Sequence, residues 1–219
     1  MARATTWGPA FEEVFQQRGL ALTPDAHDLW RAEVFDGQDH REQSTTREDY
    51  LAWELARLVR LADAAGVPAN DTEALVADLH EASRAFELEA YPETPAVLAE
   101  LRRRNVTMAV CSNWGWDLDD ALTQAGMRDE FEIVVTSAQV GVRKPHPAIF
   151  EETLTRLALE PGDALFVGDT WYPDVQGALA AGLRAVHVWR ADAPPGDEPP
   201  PLIAGVERVA ELTGILALV

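Results

Sequence analysis

Two carboxylates follow a short apolar run in the last third of the sequence. The run at residues 165–167 ends in Gly168-Asp169, and Asp174 follows five positions later. Two acids at the end of a buried strand are unfavourable unless something positive lies between them. Mg2+ suits such a place, because this hard cation takes one or two carboxylates and keeps several of its waters. The pattern therefore predicts a Mg2+ site at Asp169 and Asp174.

Two further polar groups follow apolar runs earlier in the chain. Ser112-Asn113 follows the run at residues 106–111, and Lys144 lies shortly after the run at 131–136. Lys144 is the only Lys among 18 basic residues, and a lone ammonium suggests that a compact point charge is needed there. A hydroxyl, an ammonium and two carboxylates together suit an anionic phosphoryl group and its metal ion.

Each of these residues also has a simpler explanation. Ser112 could cap a helix, and Lys144 could be a solvated surface residue. Acids such as Asp169 and Asp174 are favoured at helix N-termini. The polar groups follow three separate predicted strands in this order, which favours one shared site over unrelated local roles.

Short apolar strands alternate with helices after Tyr91. The strands are predicted at residues 106–111, 131–136, 164–167 and 185–189, and a closing helix is predicted at 206–212 after a Pro-rich surface loop at 193–201. This alternation predicts an α/β fold with a Rossmann-like parallel sheet and helices on both faces. Ligands in such folds bind beyond the carboxyl ends of the strands, so the polar groups should meet there.

The first 90 residues show a different pattern, because their apolar residues recur at helical spacing and no strand is predicted among them. Four helices are predicted, near residues 9–18, 24–35, 45–64 and 71–88. Thr45, with Glu48 three residues on, forms a capping box for the third helix. We therefore expect a small α-helical domain at 1–90 and a sheet domain at 91–219.

The composition limits the partners and the compartment. A formal net charge of −19 repels phosphate backbones and anionic lipid surfaces, so neither nucleic acid nor membrane is an expected partner. The single cysteine, Cys111, excludes a disulfide framework and is typical of a reducing compartment. The sequence has no apolar signal segment at its start and no apolar run of membrane-spanning length. We expect a cytoplasmic protein, and its oligomeric state stays open.

Three short motifs together resemble, in order and spacing, the second, third and fourth motifs of the haloacid dehalogenase-like (HAD) hydrolase superfamily: Ser112-Asn113, Lys144-Pro145, and Gly168-Asp169 with Asp174. The helices predicted in the first 90 residues are similar to the family's α-helical cap domain. The resemblance thus covers essentially the whole chain.

The resemblance implies a role for each motif residue. Ser112, Asn113 and Lys144 would form the catalytic group, in which the serine hydrogen-bonds the phosphoryl group and the lysine steadies the nucleophile and the phosphate. Asp169 would ligate Mg2+, with Asp174 as a second ligand or a support. The acidic pair implies a Mg2+-dependent phosphatase for a small phosphorylated metabolite, because dehalogenase chemistry in this family needs no Mg2+.

The family's first motif, an Asp-x-Asp at the end of a first strand, has no counterpart that we identify. Phe35-Asp36-Gly37 follows no buried strand, and Asp117-Leu118-Asp119 opens a predicted helix, where acids collect. We therefore expect a sheet without its first central strand. Its neighbours at 106–111 and 164–167 would either pair directly or leave a position that another segment fills.

Without that motif the chain as given would lack the Asp nucleophile of a phospho-aspartyl intermediate and would turn over little. We favour a truncated form of an active enzyme, because the other site residues remain. The alternative is a non-catalytic pseudoenzyme that binds a phosphorylated ligand or a protein partner.

Three tryptophans lie beside the motifs: Trp114, Trp116 and Trp171. Indole rings at the mouth of a site can stack on an organic substrate. Packing beneath the helical domain explains them equally well. Trp114 and Trp171 are the two that we predict to bind substrate.

Overall fold

The computed structural model describes residues 1–7, 10–35, 39–84, 86–190 and 198–219. Its α-helices are α1 (Phe11–Gln17), α2 (Pro24–Phe35), α3 (Arg47–Ala64), α4 (Ala69–Arg84), α5 (Thr94–Arg103), α6 (Leu118–Gln124), α7 (Ser137–Val140), α8 (Pro147–Leu157) and α9 (Gly177–Ala180). Its strands are β1 (Ala2–Trp7), β2 (Phe86–Ala90), β3 (Ala109–Ser112), β4 (Ile133–Thr136), β5 (Leu165–Gly168), β6 (Arg184–Val188) and β7 (Val206–Val209). Parallel strands alternating with helices confirm the predicted α/β class. Within these ranges no helix is both long and apolar enough to cross a membrane.

Helices α1 to α4 pack around an apolar cluster of their own. Its largest fully buried side chains come from α1, α3 and α4: Phe15, Leu58, Leu61, Leu75 and Leu79. Apolar residues three and four positions apart lie on one face of a helix, which is why these side chains meet. Each such burial stabilises by about 2 kcal/mol. We call α1–α4 the helical unit and residues 94–219 the sheet unit.

The third helix begins one residue later than its predicted capping box. Thr46 is the N-cap of α3, and its Oγ1 accepts a hydrogen bond from the backbone N–H of Asp49 at 3.1 Å. The prediction of Thr45 with Glu48 was therefore wrong by one position. The sequence has threonines at two adjacent positions and acids three residues after each, so the pattern alone fits both registers.

Two strands flank the helices of the first 90 residues, where only helices were expected. β1 pairs antiparallel with β2, with Ala2 opposite Ala90 and Trp7 opposite Phe86. The helix predicted to end at residue 88 therefore ends at Arg84, where α4 stops. The segment FELEA alternates apolar and acidic residues with the two-residue period of a strand, and ARATTW contains residues that favour strands.

The parallel strands of the sheet unit form two pieces. β3 pairs with β4, with Ser112 opposite Thr136. β5, β6 and β7 form the second piece in that order, with Gly168 opposite His187. In the described part of the chain β3 and β5 are not hydrogen-bonded to each other, so the direct pairing considered from the sequence does not form.

The C-terminal segment also differs from its prediction. Residues 206–209, expected to begin a closing helix, form β7 and pair in parallel with β6, with Ala185 opposite Val206. Two of the four residues of β7 are valines, which favour strands. The helical part comes later, as a 3-10 turn over Leu212–Ala217. Residues 193–197 of the predicted loop lie outside the described residues.

In the described parts of the chain, backbone contacts join the helical unit to the sheet unit at one short junction. Asp39 and Val142 form an isolated antiparallel bridge. The N–H of His40 donates to the carbonyl of Gly141 at 2.6 Å. Gly141 has a φ of +80°, and a Cβ there would lie 2.4 Å from the Cα of Arg41, so only glycine fits. The junction directly precedes the segment that carries the predicted catalytic lysine.

Candidate active site

A buried ion pair connects the ends of β3 and β5. Nζ of Lys144 lies 2.6 Å from Oδ1 of Asp174, and the two residues are only 8% and 5% exposed. The same ammonium donates to the carbonyl of Cys111 on β3 at 3.1 Å and lies 5.1 Å from the ring centre of Phe166 on β5. Attraction between opposite charges is stronger in such a low-dielectric place than at the surface. The structure thus brings two predicted site residues into direct contact.

The side-chain amide of Asn113 forms two hydrogen bonds with the backbone of Lys144. Its Nδ2 donates to the carbonyl of Lys144 at 3.0 Å, and its Oδ1 accepts from the N–H of Lys144 at 2.6 Å. The preceding residue, Ser112, ends β3 and is half-buried, and its hydroxyl has no hydrogen-bond partner among the described residues. The serine hydroxyl is therefore available to a ligand, whereas the asparagine serves to position the lysine.

The two predicted metal ligands differ in their surroundings. Asp174 is buried, and its Oδ2 accepts from the N–H of Thr170 at 3.0 Å. A Cβ on Gly168 would lie 2.6 Å from that oxygen, which explains the glycine at the end of β5. Asp169 is exposed and forms no ion pair with any described residue. Over the described residues, no three His, Cys, Asp or Glu side chains are grouped to hold a metal ion.

His187 on β6 supports Asp169, although its position was not predicted to matter. Nε of Arg208 donates to Nδ1 of His187 at 3.0 Å, and Nε2 of His187 lies 3.2 Å from the carbonyl oxygen of Asp169. Because arginine can only donate, Nδ1 is an acceptor and the ring proton is on Nε2. Burial lowers the pKa of His187 and so favours this neutral ring. The histidine therefore donates to Asp169 and fixes its backbone.

The three tryptophans near the motifs have different environments. Trp114 lies against an apolar cluster that includes Leu118, and its backbone bonds the hydroxyl of Ser137. Trp171 lies edge-on to His187, with ring centres 5.1 Å apart. Nε1 of Trp116 is buried without a hydrogen-bond partner in the described residues. Substrate binding by Trp114 and Trp171 stays a prediction.

The two acids of the Asp117-Leu118-Asp119 motif each form an ion pair with an arginine. Asp117 directly precedes α6 and forms an ion pair of 2.9 Å with Arg84 of the helical unit. Asp119 pairs with Arg128. Neither acid follows a strand. Residues 36 and 37 of the remaining motif lie outside the described residues.

The site residues lie within a segment that matches a known protein family. A family model described as a haloacid dehalogenase-like hydrolase matches residues 5–182. The chain belongs to the haloacid dehalogenase-like hydrolase family. The resemblance inferred from the motifs is thereby confirmed, since the matched segment contains every HAD motif residue named above.

Relatives of this HAD protein include phosphatases. Phosphoserine phosphatase of Thermus thermophilus is 38% identical over 142 residues, which cover 64% of this chain and 56% of the relative. Glyceraldehyde 3-phosphate phosphatase of Methanopyrus kandleri is 35% identical over 118 residues, 53% of this chain and 50% of the relative. The chain thus spans about half the length of these curated relatives. A solved HAD phosphatase from Thermococcus onnurineus has the same fold, with a TM-score of 0.56 and 24% identity over 89% of this chain and 90% of that one.

Proposed function

We propose that this HAD protein hydrolyses phosphate monoesters of small metabolites in a Mg2+-dependent reaction. The observation that carries the proposal is the buried pair of Lys144 and Asp174, 2.6 Å apart. The available hydroxyl of Ser112 follows, in the chain, the Cys111 carbonyl that accepts from Lys144. Two relatives are named as phosphatases of phosphoserine and of glyceraldehyde 3-phosphate, and these names support a small phosphorylated substrate.

The three residues of the catalytic group would share the work at the phosphoryl group. An ammonium has three N–H donors, and Lys144 uses two of them, on Cys111 and Asp174. The third would donate to a phosphoryl oxygen, with the hydroxyl of Ser112 donating to another. Such donors stabilise the charge of the transition state when they are held in place beforehand. Asn113 would supply that preorganisation through its two hydrogen bonds to the backbone of Lys144.

Asp169 and Asp174 would hold the Mg2+. Two carboxylates are a donor set that fits this ion. Asp169 is exposed and forms no ion pair within the described residues, and Asp174, five positions later, is fixed by the hydrogen bond from Thr170. When bound, the ion would offset negative charge on the phosphoryl oxygens. Under this proposal His187 keeps Asp169 in place, and the aspartate nucleophile comes from an Asp-x-Asp motif that we do not identify in these 219 residues.

The proposal is tested by phosphate release from a panel of monoesters, with Mg2+ and with a chelator, for this chain and for one extended upstream in frame. We expect Mg2+-dependent turnover, greatest in the extended form. Lys144→Met should lower kcat by about 100-fold, whereas Arg156→Met, at an exposed site on α8, should leave it unchanged. Mg2+ binding without turnover in either form would contradict the phosphatase and favour the non-catalytic alternative.

A further inference from the structure

The peptide bond between Asp169 and Thr170 is held at both of its polar groups. Its carbonyl oxygen, on Asp169, lies 3.2 Å from Nε2 of His187. Its N–H, on Thr170, donates to Oδ2 of Asp174 at 3.0 Å. The two polar groups of a trans peptide point in opposite directions, so this peptide lies between the histidine and the buried acid. The backbone next to both predicted metal ligands is therefore fixed from two sides.

The carboxylate of Asp169 is itself held only weakly. It is exposed, and its one hydrogen bond among the described residues comes from the hydroxyl of Thr170 at 3.4 Å. A carboxyl carbon of aspartate is only two bonds from its Cα, so the position of the backbone largely sets where the carboxylate can lie. Contacts to the Asp169 backbone thus take the place of contacts to its side chain.

Arg208 on β7 determines which nitrogen of His187 carries the proton. Nε of Arg208 donates to Nδ1 of His187 at 3.0 Å. A guanidinium has donors and no acceptor, whereas a neutral imidazole has one nitrogen of each kind. Nδ1 must therefore accept, and the proton is left on Nε2, which faces the carbonyl of Asp169. A side chain that could accept as well as donate would allow the other tautomer.

The charge of Arg208 does not explain its position. Its guanidinium forms no ion pair with any described residue. A second nitrogen, Nη2, donates to the carbonyl of Pro200, so both of its hydrogen bonds go to neutral acceptors. Packing fixes the acceptor ring, because His187 is fully buried and its ring centre lies 5.1 Å from that of Trp171 and 5.6 Å from that of Trp189. The donors of the arginine therefore meet a ring that is already oriented.

These contacts form one continuous chain that reaches the predicted catalytic lysine. It runs from Arg208 through His187 and the peptide after Asp169 to Asp174, whose Oδ1 lies 2.6 Å from Nζ of Lys144. Hydrogen bonds in such a chain polarise one another and act together. A residue of β7, outside all the motifs, is thus connected to both predicted metal ligands.

We propose that Arg208 and His187 are positioning residues for the Mg2+ site, and we call the two the relay. Arg208 selects the tautomer of His187, and the N–H of His187 then fixes the backbone of Asp169 and so the direction of its carboxylate. Partners that orient a metal ligand commonly change metal affinity 10- to 100-fold when they are removed. This inference rests on the proposed function, because it concerns the ion that the function requires.

Nuclear magnetic resonance of the 15N-labelled 219-residue chain tests the relay without requiring turnover. Long-range 1H–15N correlations of the native His187 ring should show a protonated Nε2 and an unprotonated Nδ1. Titration with Mg2+, followed at the amide of Thr170, gives the dissociation constant. Arg208→Met should allow a proton on Nδ1 and weaken Mg2+ binding about 10-fold. The sign is informative, because loss of a positive charge by itself would tighten the binding of a cation.

A double-mutant cycle separates positioning from a general loss of structure. His187→Phe should weaken Mg2+ binding about as much as Arg208→Met. The double variant should bind no more weakly than His187→Phe alone, since the arginine acts through the histidine. His187→Gln, which keeps an N–H donor at the end of its side chain, should retain part of the affinity. Arg184→Met removes an exposed cation at the other end of β6 and should change neither the affinity nor the ring proton.

Four results would overturn the relay: a native ring protonated on Nδ1, no Mg2+ binding by the native chain, equal or tighter binding by Arg208→Met, or additive losses in the double variant. The first two need no variant, so the test holds even if a substitution prevents folding. Phosphate release separates the two proposals. Mg2+-dependent turnover with an affinity that does not depend on Arg208 refutes the relay alone, whereas Arg208-dependent binding without turnover refutes the phosphatase alone.

Discussion

The pair of Lys144 and Asp174 is the residue-scale feature with the largest energetic consequence. Neither charge is solvated, so each depends on the other and on the hydrogen bonds from Thr170 and to Cys111. Such a pair is strongly destabilised when one partner is removed, because the remaining charge stays buried. An exposed pair behaves differently, since water solvates whichever charge remains.

Asp174→Asn should therefore lower the free energy of unfolding by about 3 kcal/mol, measured by urea denaturation. The matched control is Glu152→Gln, which breaks the exposed pair of Glu152 and Arg156 on α8. That change should cost about 0.5 kcal/mol. Equal losses in the two variants would show that the Lys144–Asp174 pair is solvated.

His40 gives a prediction about pH. Its pKa lies at about 4 in the folded protein, against an ordinary value of 6.5, because of burial and then the charges of Arg143 and Arg57, opposed by Asp39. Between these two pH values the unfolded chain binds a proton at His40 that the folded chain does not. The contribution of His40 to stability is therefore full above pH 6.5 and is lost as the pH falls towards 4.

The His40 ring should accordingly stay neutral in NMR titrations until about pH 4. Unfolding of His40→Gln should depend less steeply on pH between 6.5 and 4 than unfolding of the native protein. A ring that titrates near 6.5 in the folded state would contradict this assignment.

At the scale of elements, α3 depends on a single side-chain cap. Oγ1 of Thr46 accepts from the N–H of Asp49, one of the four donors that a helix start leaves without an intrahelical partner. Thr46→Ala should cost about 1 kcal/mol in thermal or urea unfolding. Thr45→Ala should cost less, because Oγ1 of Thr45 bonds only the exposed carboxylate of Asp49. A larger loss for Thr45→Ala would restore the predicted capping box.

Elements with strong local signals were predictable from the sequence, and those that depend on distant partners were not. α8 begins at Pro147 and ends at Leu157, and both the proline at its first helical position and its apolar spacing are local signals of a helix. β1, β2 and β7 were missed because a short strand is stabilised mainly by the strand that it pairs with. β1 and β2 are separated in sequence by the whole helical unit.

The residues of the site also divide into those that local sequence signals identified and those that they did not. Lys144 could be identified because it is the only lysine and follows a predicted strand, and the structure places it on Asp174. His187 was missed, because its role comes from its surroundings in three dimensions. Nothing in the sequence near His187 indicated its contact with Asp169.

At the scale of the whole molecule, Gly141 determines how closely the helical and sheet units approach. Gly141→Ala should be destabilising for two reasons, its positive φ and the 2.4 Å approach of a Cβ to the backbone of Arg41. Gly126→Ala is the matched control, because Gly126 has a φ of +68° but no atom within 4 Å of a Cβ. Gly126→Ala should cost about 1 kcal/mol, and Gly141→Ala about 2 kcal/mol more. Equal melting temperatures for the two variants would show that the junction yields without strain.

The same junction has a consequence for how the protein can diversify. The contacts of Asp39 with Val142 and of His40 with Gly141 are made by backbone atoms, and backbone hydrogen bonds do not depend on which side chains are attached. Side chains at this junction can therefore change, or be exchanged for those of a homologue in a chimaera, while these backbone contacts with the sheet unit are kept. Such a chimaera would join the same sheet unit, provided that position 141 remains glycine.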